Sequence, residues 1–260
     1  MTAGTLAFAS RHGRGVVLGA LSAIVALAWA YLLLGAGIEM EQMDMGGGQM
    51  MAMPPEWSLG YAGILFVMWA VMMLAMMLPS AAPVILLAAA LDRKQGTGPA
   101  RSTLFATGYL LVWFGFSVGA TLLQWALDYA GLLSDTMAVA SRHVAAAVLV
   151  AAGIYQWTPL KRECLTRCRS PMELLLRYWG KGTVGAVTAG MSHGIFCLGC
   201  CGVLMALLFV GGLMNLAWVA GIALLVLLEK TLPWGGRMSR LAGVVLIGWG
   251  AAALVIGDMM

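Results

Sequence analysis

Within the stretch MSHGIFCLGCCG, His193, Cys197 and Cys200 stand at i, i+4 and i+7, with Cys201 directly after. On a helix the first three share an arc of roughly 60°, and Cys201 widens it to roughly 100°. An imidazole nitrogen beside thiolates is a soft or borderline ligand set. It suits low-coordinate Cu(I) and, less well, tetrahedral Zn(II). The plainer alternative is a packing histidine among small residues, because Gly190, Gly194, Gly199 and Gly202 also read as close helix contact.

A second set of soft donors is made of thioethers. Met40, Met43, Met45, Met50, Met51 and Met53 lie in a glycine-containing segment, residues 39–57, and Met68, Met72, Met73, Met76 and Met77 follow in the next apolar run. Exposed thioethers add little to a fold, whereas their coordination chemistry favours Cu(I) and survives an oxidising compartment better than paired thiols. In the apolar run, Met68, Met72 and Met76 form one helical row and Met73 and Met77 an adjacent one. Methionine in such a helix is also ordinary packing material. Pro79 and Pro83 follow the rows and remove backbone hydrogen bonds where a site or pathway needs irregular backbone.

A third pair, Cys164 and Cys168, sits at i, i+4 in the segment TPLKRECLTRCRSP. The flanking cations Lys161, Arg162, Arg167 and Arg169 favour thiolate there, so the pair reads as an exit ligand or a redox-sensitive site.

The elements that must position these groups are membrane helices. The chain is 62% hydrophobic and only 10% charged over 260 residues, a composition without enough polar surface for water as main solvent. Apolar runs near 16–38, 60–91, 103–127, 143–160, 183–211, 214–229 and 241–257 approach or exceed the roughly 17 to 25 residues of a helical span. The expected fold is therefore all-α, a single transmembrane bundle over 1–260 with about seven spans, or six if 183–229 holds a re-entrant pair. With the N-terminus inside, alternation puts every Lys and Arg except Arg142 on the inner side, as the positive-inside rule requires. The methionine segment 39–57 is then extracytoplasmic, and 161–182 is a basic cytoplasmic loop in which 170–179 forms an interfacial helix. The location implied is a bacterial inner membrane.

Topology also sets depth. Counted from inner ends near Leu91 and Thr183, Met72 to Met77 lie about 14 to 19 residues deep and His193 to Cys201 about 10 to 18, so the two sets overlap and could form one composite site.

The segments WAVMMLAMMLPSAAP, GYLLVWFGFSVGATLLQW, GIYQWTPLKRECLTRCRSP and GMSHGIFCLGCC resemble an uncharacterised bacterial family of metal-binding integral membrane proteins, over about residues 60 to 257. The resemblance implies that Met72 to Met77, Cys164, Cys168, His193, Cys197, Cys200 and Cys201 are family features. The methionine-rich outer segment lies outside the shared core.

The function expected is binding of a soft metal, Cu(I) before zinc or haem, in copper uptake, transfer or delivery. Partners expected are the bilayer, the metal ion and a periplasmic or membrane protein, with room for an oligomer and none for nucleic acid. No GxxxxGK[ST] sequence is present, so any transport is not driven by ATP within this chain. The alternatives are a membrane oxidoreductase or cofactor subunit holding haem or quinone, and an interaction subunit without metal. His12, His143 and His193 lie too far apart in depth for bis-histidine haem ligation, leaving only a His/Met pair. An enzyme is not the favoured reading.

Overall fold

The computed structural model describes residues 3–37, 41–44, 50–53, 57–96, 99–134 and 136–257. In chain order the elements are α1 (Ala3–Leu33), β1 (Glu41–Asp44), β2 (Met50–Met53), α2 (Leu59–Gln95), α3 (Ala100–Tyr129), α4 (Arg142–Tyr155), α5 (Pro159–Arg169), α6 (Met172–Trp179), α7 (Gly182–Ala206), α8 (Leu208–Gly211), α9 (Leu216–Thr231) and α10 (Gly235–Gly257).

The structure is predominantly helical, as expected, with a short strand pair beside the helices. β1 and β2 form an antiparallel pair in which Met43 stands opposite Met51 and Glu41 opposite Met53. Met40 and Met45 lie outside the described residues.

Five helical segments are long and apolar enough to cross a membrane: 14–33 in α1, α2, α3, α7 continued by α8, and 235–255 in α10. The α4–α5 pair, bent by 64°, makes a sixth if it counts as one span. Of the seven spans expected, that leaves α9, whose 16 residues fall short of the ~20 that cross hydrocarbon. The break expected near Gly211, Gly212 and Asn215 is present. Gly212 adopts φ +85°, and the Asn215 side chain caps α9 by accepting from the Trp218 N–H at 3.1 Å.

α2 packs against α1, α3 and α9. Its 37 residues make a rod about 55 Å long. The Ser58 hydroxyl caps its start, and Gly96, at φ 68°, ends it. The helix runs on through Pro79 and Pro83 instead of breaking. Beside the prolines the Ser80 and Tyr109 hydroxyls donate to the Met77 carbonyl, at 2.9 and 3.4 Å. Both methionine rows face inward: Met68, Met72, Met73, Met76 and Met77 are all buried. Trp69 projects among them, its indole N–H donating to Gln124 at 2.8 Å and its ring packing on Phe209.

α3 and α7 touch backbone to backbone. A Cβ on Gly190 would run into the Phe105 carbonyl, and one on Gly108 into the carbonyl of Val187. This close approach, which small residues permit, fixes the rotation of α7 and so the direction in which its cysteines face.

Candidate metal centre

α7 carries His193, Cys197, Cys200 and Cys201 into the interior, each about 1% exposed. The helical arc expected for these four residues is therefore a buried one. His193 lies between Gly190 and Gly194 on the α3 side, its ring tilted against Phe105 and Tyr109 with centroids 5.9 and 5.6 Å apart. Its Nδ1 is buried and has no hydrogen-bond partner.

The largest correction concerns Cys164 and Cys168. Sequence placed them in an inner loop, apart from the α7 cysteines and bathed by cations. Instead the chain bends after α4, and α5 lays a buried face of Lys161, Cys164, Leu165 and Cys168 onto the core. Cys164 packs on Gly199 so closely that a Cβ there would lie 2.6 Å from its Sγ. The Cys168 thiol is within hydrogen-bonding reach of Cys197 and Cys200. The five cysteines are free thiols and all are buried.

Helix amphipathicity explains the difference. Arg162 and Arg167, which made this segment look like a solvated loop, occupy the exposed side of α5, while Lys161 and the cysteines occupy the buried one. Three of the four flanking cations have partners of their own. Lys161 is buried in an ion pair with Glu229 at 2.7 Å, and Arg169 donates to the Leu232 carbonyl. Arg167 pairs with Glu163 at 2.8 Å and lies over the Phe196 ring. These contacts pin α5 to α7 and α9. α6 continues the packing, burying Leu175 and Trp179.

From α2, Met77 completes the sulfur group, its Sδ 3.8 Å from the Sγ of Cys201. The overlap in depth of Met72 to Met77 with the α7 set thus becomes a contact at Met77. Met68, Met72, Met73 and Met76 are buried along the same helix toward Leu59.

Three participants were not recognised from sequence. The Lys230 ammonium, near the end of α9, donates to Cys197 Sγ at 2.8 Å and to Ser80 Oγ at 3.2 Å. The Tyr109 hydroxyl lies 3.2 Å from the same Cys197 sulfur. Lys230 had been counted only as an inner-side charge. Its place beside Glu229 at the end of an apolar run was the available signal, since ionic groups there need partners.

The result is a buried cluster of sulfur around Cys197, with one unpartnered imidazole nitrogen and one ammonium. Among the described residues no three His, Cys, Asp or Glu side chains form a ready-made metal cage. The donors meet as neighbouring sulfurs from α2, α5 and α7, an arrangement suited to a soft ion of low coordination number.

No curated protein and no solved structure matches the chain. A family model described as copper chaperone, PpoB2, matches residues 66–253, which include every residue of the sulfur group, and the chain belongs to that family.

Proposed function

We propose that the protein is a membrane-embedded carrier that binds Cu(I) at the sulfur group of α5 and α7 and passes it to a partner protein. Copper is the cargo. Cys197 and Cys168 are its principal ligands, with Cys200, Cys201, Cys164, His193 and Met77 within the surrounding set.

The observation that carries this reading is the docking of α5 on α7, which gathers all five cysteines of the chain into one region. Cysteines kept only for packing have no reason to meet from two helices around an ammonium. A soft-metal pocket does, because thiolates bind Cu(I) strongly and a nearby cation balances their charge.

The buried methionines give the reading a direction. From Met68 to Met77 the rows extend about 13 Å along α2 toward the cysteines. Upstream lies the β1–β2 pair with Met43, Met50, Met51 and Met53. With the N-terminus inside, the thioethers form an outer collection point and an intramembrane ladder in a bacterial inner membrane. The α7 cysteines lie beside the C-terminal ends of α4 and α9, and the basic faces of α5 and α6 continue inward from there. A partner that accepts copper would dock on that side.

Elemental analysis of anaerobically purified full-length protein tests this. Wild type is expected to carry stoichiometric copper and Cys197→Ser to lose it, with His193→Ala weakened. Copper absent from wild type, or unchanged in both variants, contradicts the proposal.

A further inference from the structure

Lys230 is an unusual neighbour for a metal site, because a cation beside the ligands repels an incoming cation. Its surroundings are specific. Nζ donates to Cys197 Sγ at 2.8 Å and Ser80 Oγ at 3.2 Å. The adjacent carboxylate, Glu229, forms its ion pair with Lys161 instead. Among the described residues no carboxylate lies within ion-pair distance of Lys230. A part-buried ammonium without a carboxylate partner needs a counter-charge, and the group positioned to supply it is the sulfur of Cys197.

We propose that Lys230 is a specificity-determining residue that makes the site selective for monovalent Cu(I) over divalent Zn(II). This rests on the copper-binding reading above. Ligand cysteines bind as thiolates and release their protons when metal arrives. Two thiolates, one ammonium and one monovalent ion make a neutral group, which a buried site tolerates. The same ligands around a divalent ion leave a net positive charge, which is costly among buried sulfurs. A divalent ion regains neutrality by displacing the proton of Lys230, which costs the ammonium its hydrogen bonds to Cys197 and Ser80, or by recruiting a third thiolate. That step has its own cost, because the Cys200 and Cys201 thiols already donate to the Cys197 carbonyl, at 3.1 and 2.9 Å. Lys230 therefore excludes zinc by charge, in a pocket whose sulfurs alone would accept either metal.

The test is competitive loading of reduced, metal-free full-length protein in detergent with equimolar Cu(I) and Zn(II) under anaerobic conditions. The readout is the bound metal ratio. Wild type and Lys230→Arg, which keeps the charge, are expected to load copper. Lys230→Met removes the ammonium with little change in length, and should shift the ratio toward zinc by roughly ten- to a hundredfold. Lys230→Gln keeps a hydrogen-bond donor without the charge and should shift in the same sense, which covers the case that the methionine variant fails to fold. A folded neutral variant with the wild-type ratio, or one losing both metals in equal proportion, overturns the assignment. Wild type that binds neither metal instead refutes the copper-binding reading beneath it.

Discussion

The Sγ of Cys201 on α7 lies 3.8 Å from the Sδ of Met77 on α2, joining two segments separated by 124 residues of sequence. Through this contact the methionine rows and the cysteine arc become parts of one interior surface. Met77→Leu tests whether the thioether acts as a ligand or as filler. Leucine keeps the volume, so unfolding stability should change by less than about 1.5 kcal/mol. Cu(I) affinity should fall roughly tenfold, or about 1.4 kcal/mol. Competition against a chromophoric Cu(I) chelator measures the affinity; an unchanged value would assign Met77 to packing alone.

The docking of α5 on α7 can be checked without any metal. Since the Cys168 thiol reaches Cys197 and Cys200, mild oxidation with diamide should give a disulfide from Cys168 to one of them, identified by mass spectrometry of proteolytic fragments. Prior loading with Cu(I) should suppress it. Cys168 in a free loop would show no preference for these partners.

The Lys161–Glu229 pair, with both side chains about 2% exposed, should hold α5 in place. Lys161→Met leaves a buried carboxylate without its partner and is expected to cost about 3–5 kcal/mol. Lys161→Met combined with Glu229→Gln should recover most of that loss. Chemical unfolding in detergent, followed by circular dichroism, distinguishes this recovery from simple addition of two defects.

Glycine substitutions separate close packing from mere helix content. Gly190→Ala drives a Cβ into the Phe105 carbonyl, and should destabilise the α3–α7 contact by about 1–3 kcal/mol. Gly221 in α9 has open space around its Cβ position. Gly221→Ala should be neutral or stabilise by up to about 1 kcal/mol. Both are read from unfolding midpoints.

The parts of this architecture that depend on local periodicity were legible in the sequence. Apolar run lengths located the long helices, the spacing of Met68 to Met77 identified an inward face, and rise per residue brought Met77 to the depth of the α7 cysteines. The spacing of His193 through Cys201 likewise located the buried arc. What stayed hidden depends on a bend and on charge pairing. Nothing local in TPLKRECLTRCRSP says that the chain turns by 64° and returns along α7. Its basic residues mask the apolar face that makes the return favourable. The contact of Lys230 stayed hidden for the same reason: a charge at the end of a hydrophobic run does not name its partner, Cys197.

The central claim is that sulfurs of α5 and α7 hold the same copper ion. Cu(I) titration of wild type, Cys168→Ser, Cys197→Ser and the double variant tests it most directly, with X-ray absorption at the copper edge reporting the sulfur shell. A shared site predicts sulfur-ligated copper in wild type, a large loss of tight binding in each single variant, and little further loss in the double. Independent losses that add in the double variant would mean separate sites on the two helices and would contradict the account.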